Sequence, residues 1–347
     1  RTGPQSAWPS TAAAFPPADA LLTYSEFCKV YLLPLAESDL LVDSLHLNTE
    51  VLGVSRNVYR KTENLDPELR AADGFRLLLI DEEGDERVAT ADAVLDCSGV
   101  YGNPRWMGPG GVPALGERAL RKQAKKQNAA ERVWEHGIPS VAGERRSQFA
   151  KKTLLVVGGG HSAATNVLAL LQLAEETGKG KIYWVTPDRE PPGWIDEDDD
   201  DELLQTASSP ANQEPVQRIA DDPLPERDRV AVAANAAVAS PYVEHLPACA
   251  VAKIKSSGEG VTVKLTKFDG SQEEIRVDRI LSNVGHRPNV EFHRELQVNV
   301  CAVSEACGLS AEEPFVTGEP NYYVLGAKSF GRGSHFTLAD GLRQIRD

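Results

Sequence analysis

No Cys-x-x-Cys pair occurs in this chain, and its five cysteines, at 28, 97, 249, 301 and 307, are odd in number and irregularly spaced. That excludes the commonest dithiol redox centre and the usual zinc-ribbon spacing, and it argues against a disulfide scaffold. A reducing compartment, the cytoplasm, is expected. No run approaches about 18 uninterrupted apolar residues, so no membrane span is expected. Basic charge is also short: 37 Lys and Arg stand against 51 Asp and Glu, a net charge of −14. General nucleic-acid or anionic-membrane binding needs the opposite balance, so neither is expected as a partner. No His-x-His, His-Glu-x-x-His or clustered Cys and His marks a metal site. The opening stretch RTGPQSAWPSTAAAFPPADA has no charged start followed by an apolar core, and it reads as a loop.

What is present is enough for a real core. The 347 residues are 41% hydrophobic, which suggests two or three domain-sized units or two entwined ones. A helix is expected over 23–35, where apolar residues recur on one face. Strands are expected at 45–54, 75–80, 86–89 and 93–97, with turn chemistry at Glu82-Glu83-Gly84-Asp85. Residues 105–150 are Gly/Pro-rich, then basic, and read as a connecting segment with one exposed helix. A buried strand at 153–157, a helix at 162–176 and a strand at 181–185 follow. The acidic run 196–202 reads as a solvated loop, without the spacing of an EF-hand. A helix at 227–239 precedes strands at 251–255, 261–267, 274–277 and 280–284.

The strongest motif is Leu154-Leu155-Val156-Val157 running into Gly158-Gly159-Gly160-His161-Ser162-Ala163 and then an apolar helix. This is strand, G-x-G-x-x-A, helix. The first Gly permits a tight turn, the second lets backbone meet a pyrophosphate, and the small third residue lets helix pack on strand. Phosphate then sits on the free N–H groups of the helix start. Ribose is read at the end of the next strand, where Asp188 and Arg189 stand side by side. Asp favours NAD and Arg the 2′-phosphate of NADP; the Arg leans the choice to NADP.

Two stretches share the pattern D-x-[VI]-L-x-x-x-G: Asp92 to Gly99 and Asp278 to Gly285, each after a hairpin with a Gly turn, Gly84 and Gly270. In the second, the strand lies about 120 residues after the fingerprint. The same anatomy in the first half puts an earlier fingerprint about 28 residues upstream of Arg1. The expectation is an α/β protein with two interleaved Rossmann-like domains, the first lacking its opening βαβ unit. Its parts are residues 1–150 (remainder of the first domain and linker), 151–284 (nicotinamide dinucleotide domain) and 285–347 (return to the first domain).

Cys97-Ser98-Gly99-Val100-Tyr101-Gly102-Asn103-Pro104 is similar to the strand-end motif that precedes the NAD(P)H domain in two-dinucleotide-domain flavoproteins. That group includes pyridine nucleotide-disulfide reductases and flavin-containing monooxygenases. Asn283-Val284-Gly285-His286-Arg287-Pro288-Asn289 resembles its counterpart at the return to the FAD domain. Asn321 to Ala327 resembles the late strand whose Gly approaches the flavin, and Gly341 to Gln344 the last flavin-side helix. The resemblance implies FAD and NADP (or NAD) as cofactors and a small-molecule substrate. It adds Cys97, Ser98, Gly99, Tyr101, Asn283, Gly285, Gly326 and Lys328 to the cofactor-binding candidates Gly158 to Ala163, Asp188 and Arg189. His286 falls near the flavin, and Lys328 or Arg332 could face a phosphate or a substrate. Cys97 is expected to be buried and inert. The pattern departs at Ala327, where an Asp is usual, and the monooxygenase signature ahead of the second fingerprint is missing.

In such proteins the flavin carries the redox chemistry, so no side-chain nucleophile is required and no catalytic residue is assigned. The leading expectation is an oxidoreductase passing electrons from NAD(P)H through FAD to O₂ or an organic substrate, in a monooxygenase-like manner. The alternatives are a non-catalytic or redox-sensing dinucleotide-binding protein, and a low-molecular-weight disulfide reductase using Cys301 or Cys307.

Overall fold

The computed structural model describes residues 20–63, 66–187, 214–219, 222, 224–257, 260–267, 269–308, 316–334 and 336–346. The chain forms two compact units, one from residues 1–94, 290–298 and 318–322, the other from 95–289, 299–317 and 323–347.

In the first unit, Thr23 caps a helical run through a reciprocal box with Glu26, the Glu26 N–H donating to Thr23 Oγ1 at 3.3 Å. The run comprises α1 (Tyr24–Phe27), a π-helical stretch (Cys28–Leu32) and α2 (Leu33–Ala36). The wide turn has a local cause. Pro34 has no N–H for an α-type bond, and the Leu33 N–H donates to Cys28 O, five residues back. Strand β1 (Glu50–Arg56) starts at Glu50 rather than at Leu45. Residues 42–48 are exposed, and Asn48 adopts φ 52°, which breaks the extended run. Helix α3 (Pro67–Ala72) is capped by Asp66, and β2 (Phe75–Ile80) and β3 (Glu86–Ala91) complete an antiparallel meander in the order β1-β2-β3.

The meander is anchored by a buried charge cluster. Glu319 accepts from Arg56 Nε at 2.6 Å, Arg70 Nε at 2.8 Å and the Gln297 N–H at 2.6 Å. All three charged side chains are buried. Burial alone would raise the Glu319 pKa; Arg70, Gln297 and Arg56 outweigh it and hold the carboxyl below its usual value.

After β4 (Val94–Asp96), the second unit is built on a five-stranded sheet, all parallel, in the order β5-β12-β6-β7-β8. Helix α4 (Glu117–Ala124), strand β5 (Trp134–His136) and helix α5 (Arg146–Phe149) come first. Strand β6 (Thr153–Val157), helix α6 (His161–Thr177) and strand β7 (Lys181–Val185) follow. Next are α7 (Pro225–Ala237), β8 (Val243–Leu246), β9 (Cys249–Ser257), β10 (Gly260–Lys267), β11 (Gln272–Val277) and β12 (Arg279–Ser282). Strands β9, β10 and β11 form a second antiparallel meander, so the repeat seen in the sequence is a repeat of structure. The chain ends with β13 (Tyr322–Val324) and α8 (Leu338–Arg346).

Both sheet faces are apolar, as a parallel sheet covered on two sides requires. Leu155, Val157, Val185 and Ile280 pack with the meander residues Val251, Val261, Val263 and Leu265. Leu154, Val156, Ile182, Trp184 and Leu281 pack with α6 and α7. Residues 105–150 are not merely a connection with an exposed helix. Strand β5 is a member of the sheet, and α4 buries Glu117, Leu120, Arg121 and Ala124. Glu117 earns its burial by accepting from the N–H groups of Met107 and Ala114 and from Arg121.

Candidate functional site

Strand β6 delivers the chain to the glycine turn at the carboxyl edge of the sheet. Gly158 takes φ +132°, and a Cβ there would lie 2.2 Å from Asn283 O. Only glycine lets the turn pass this close to the end of β12. The turn is fixed from three sides: the Gly158 N–H donates to Val185 O at 2.8 Å, Trp184 Nε1 donates to Gly158 O at 2.8 Å, and the Asn283 N–H donates to Val157 O at 2.7 Å. Gly160 differs. A Cβ there would meet nothing within 4 Å, so the space before the helix start is open.

Helix α6 begins at His161, with Gly160 as a cap that lacks a side chain and accepts the N–H groups of Ala163 and Ala164. Ala163 and Ala164 are both fully buried, which lets the helix lie close on the strands. Ser162 is exposed beside the turn. Asp222 lies near His161. Its carboxyl is held low first by the hydrogen bond from Arg227, against an opposing effect of desolvation, and then by the Leu224 N–H, the Arg227 charge and His161. The expected fingerprint thus stands as strand, glycine turn and helix in the required order.

The turn is knitted to its neighbours by residues that no motif announces. Asn166 Nδ2 donates to Gly137 O at 2.9 Å and to Asn283 Oδ1 at 2.8 Å, while Asn283 Nδ2 donates to the same Gly137 O at 3.0 Å. This triangle joins the ends of β5 and β12 to α6. Beside it is a line of rings: Tyr101 and His286 centroids lie 5.1 Å apart, His286 and His136 6.0 Å, His136 and Trp134 5.7 Å. Burial first, and then the Arg121 charge, lowers the His136 pKa; burial and then His136 lowers that of His286. Both imidazoles are therefore biased toward the neutral form. At the end of β7, Thr186 Oγ1 contacts His245 Nε2 at 2.8 Å, and burial pushes His245 down to about 4.

The two repeat glycines, Gly99 (φ +66°) and Gly285 (φ +81°), both take the left-handed conformation, as does Gly326 (φ +72°). Lys328 requires a correction. Instead of facing outward it is fully buried, and its Nζ lies 2.6 Å from Asp96 Oδ2 and 3.3 Å from Ser98 Oγ. A cation spent on a buried carboxylate is not free to meet a phosphate. Cys97 is also corrected: it is exposed, with its thiol pKa pushed up by desolvation and by Asp96. The Gly326 N–H donates to Gln344 Oε1 at 2.8 Å, and Thr337 and Asp340 cap the start of α8.

Asp188, Arg189 and the acidic run 196–202 lie outside the described residues. Among the described residues no group of three His, Cys, Asp or Glu is placed to hold a metal ion. No helix among them is long and apolar enough to cross a membrane. Cys301 and Cys307 do not behave as a pair. Val300 pairs with Cys307 in an antiparallel bridge, so Cys301, one residue on, points to the other face. Cys301 is exposed, and hydrogen bonds from the Ser304 side chain, the Ser304 N–H and the Val303 N–H lower its pKa to about 7. Cys307 is buried and is pushed up to about 11, mainly by desolvation.

No family model matches the chain, and no curated protein matches it. Solved structures do. The chain is similar to the bacillithiol disulfide reductase of Bacillus cereus, with a TM-score of 0.58 and 13% identity over 93% of this chain and 78% of that one. It is similar to the Staphylococcus aureus enzyme of the same name (TM-score 0.51, 13% identity, 91% and 71% covered). The thioredoxin reductase of Lactococcus lactis gives a TM-score of 0.50 at 14% identity, covering 85% of this chain and 69% of that one. At these identities the likeness is one of fold, the fold shared by these reductases.

Proposed function

We propose that this protein is an FAD-dependent oxidoreductase that draws its electrons from NADPH or NADH. The carrying observation is the turn Gly158-Gly159-Gly160 at the start of α6. It stands where the sheet order reverses, since the chain leaves β6 for β7 on one side while β12 lies on the other. In open parallel sheets the crevice at such a switch point is where dinucleotides bind. Residues 151–284, with β5 of the same sheet, are assigned to the nicotinamide dinucleotide, and the rest of the flanks 1–150 and 285–347 to the flavin.

The residues present fit a pyrophosphate at the glycine turn. Gly160 leaves open space, and the N–H groups opening the seventeen-residue helix α6 supply the positive end of its dipole. Asp188 and Arg189 would read the ribose. Neutral His286 and His136, with Tyr101, would line the nicotinamide side without adding charge. On the flavin side the fit is of backbone: Gly99 and Gly326 permit close approach, whereas Lys328 serves Asp96. Bound flavin supplies the hydride relay between nicotinamide and acceptor; the protein orients the two ligands and excludes water.

For the acceptor, the reading carried over from the sequence is O₂ or an organic substrate. A low-molecular-weight disulfide is the second reading, favoured by the names of the reductases that share the fold. Cys301 and Cys307 on opposite faces argue against a dithiol relay within this chain. The test is an absorbance spectrum, then anaerobic addition of NADPH and of NADH. Bands near ~450 nm that bleach with one nucleotide support the reading. Reoxidation by air or by a disulfide then selects the acceptor. A colourless protein that still binds NADPH would make it a dinucleotide-binding protein without turnover.

A further inference from the structure

A group of arginines lies beside the end of β12, away from the glycine turn. Backbone pairing brings two of them together. Pro104 and His286 face each other in an antiparallel bridge. The Arg105 N–H donates to Gly285 O at 3.0 Å, and the Arg287 N–H donates to Asn103 O at 3.1 Å. Side chains alternate across such a ladder, so Arg105 and Arg287 leave on one face and His286 on the other. The bare Gly285 makes room: Arg105 Cδ lies 3.6 Å from the position a Cβ would occupy there. Arg121, stacked 4.0 Å over the Trp106 ring, holds the segment by bonding to Pro104 O and Arg105 O.

A third guanidinium, Arg332, bonds to Glu305. Desolvation, Arg332 and Arg287 all depress the Arg105 pKa, with Glu305 opposing them. Glu305 in turn is held low by its bond from Arg332 and by the charges of Arg332, Arg287 and Arg105. Three guanidiniums therefore share one carboxylate, a local excess of positive charge in a chain whose net charge is −14. The group is not self-satisfied either. Arg287 Nε and Glu305 Oε2 are buried, and neither has a hydrogen-bond partner among the described residues. An anion relieves the repulsion among the guanidiniums and satisfies the Arg287 Nε donor, while the Glu305 oxygen, an acceptor, stays the anion's competitor.

We propose that Arg105, Arg287 and Arg332 form an oxyanion site that takes a phosphate or carboxylate group of a ligand lying over the carboxyl end of β12. Guanidinium forks match the paired oxygens of either group. Glu305 is the internal competitor that neutralises Arg332 until the ligand arrives. The oxyanion comes from one of two sources, the nicotinamide dinucleotide itself or the electron acceptor. The backbone bridge and the Arg332–Glu305 bond place the group, and its charges act on one another; the site does not depend on flavin binding, and only the choice between the two sources rests on the proposed function.

The test uses the full chain and inorganic phosphate, titrated calorimetrically at constant ionic strength. The double variant R105Q/R287Q should bind phosphate at least tenfold more weakly than the parent. E305Q should bind it more tightly, an outcome that a purely structural arginine cluster would not give. If circular dichroism shows the double variant unfolded, R287Q alone carries the comparison. NADPH titration then separates the sources. An NADPH Kd that rises in step with the phosphate Kd assigns the site to the dinucleotide; an unchanged NADPH Kd assigns it to the acceptor. Absence of phosphate binding by the parent, equal affinity in the variants, or weaker binding by E305Q overturns the proposal. A colourless protein that shows the phosphate effects overturns only the flavin reading.

Discussion

Replacing Lys328 with methionine should weaken the fold while leaving nucleotide affinity unchanged. The ammonium and the Asp96 carboxylate lie 2.6 Å apart with side-chain exposures of 0% and 1%. At an effective dielectric of about 20 their attraction at that distance is about 6 kcal/mol, opposed by several kcal/mol of desolvation for each ion. The pair as a whole therefore contributes little net stability, but either charge alone is strongly unfavourable. Removing Lys328 takes the ammonium from a buried carboxylate to which the Ser98 hydroxyl, at 2.7 Å, and the Ser98 N–H, at 3.1 Å, also donate. A loss of about 3–5 kcal/mol is expected. The double variant D96N/K328M should recover most of it, because no charge is then left unpaired. The assay is urea unfolding of the parent, both single variants and the double variant, with NADPH Kd measured alongside. A K328M loss below about 1 kcal/mol, or a double variant as weak as the single, would refute the reasoning. A raised NADPH Kd in K328M would show that the lysine meets the cofactor after all.

Gly158→Ala should reduce NADPH affinity more than tenfold and also destabilise the fold, since its Cβ would lie 2.2 Å from Asn283 O at φ +132°. Gly160→Ala, with nothing within 4 Å, should lose affinity while changing stability by no more than about 1 kcal/mol; equal behaviour of the two in a thermal melt and a binding titration would count against the turn. Alkylation followed by mass spectrometry should modify Cys301 half-maximally near pH 7 and leave Cys307 untouched until the protein unfolds, given pKa values of about 7 and about 11. His245, at about 4 when folded against 6.5 when free, stays neutral in the native state while the unfolded chain takes up a proton. Stability should therefore fall as pH drops from 6.5 toward 4, by up to about 3 kcal/mol, and His245→Gln should flatten that limb in a pH series of urea melts.

Elements bounded by strong punctuation were legible to the residue. The strands 75–80, 153–157 and 181–185 stand where they were expected, because Gly, Pro or turn residues flank short β-branched or apolar runs. Strand β5 was not legible: its three residues, Trp134, Glu135 and His136, carry no period and are extended because β12 pairs with them. Strand β8 is similar, a Val-Glu-His-Leu run with one partner, β7. Of the site, the glycine turn was readable because the strand, turn and helix that form it are contiguous in sequence. Asn166, Asn283 and Gly137 are joined only by the sheet, and Arg105 meets Arg287 only through a bridge between distant segments. Lys328 misled for the opposite reason. A lysine next to a glycine motif suggests phosphate, and nothing in the sequence shows that Asp96 lies within its reach.

The strand order has a consequence for how the chain is made. Strand β12 lies between β5 and β6 and is the last of the five sheet strands to leave the ribosome. Until residues 279–282 emerge, β5 has no partner and β6 keeps one edge bare, with Leu154, Leu155, Val156 and Val157 along it. A nascent chain stalled before that point displays a short, uncharged, β-prone edge, the kind that recruits other chains. Insertion of β12 closes both edges in one step and brings Asn283 against Gly158, so the glycine turn is completed only when the sheet is.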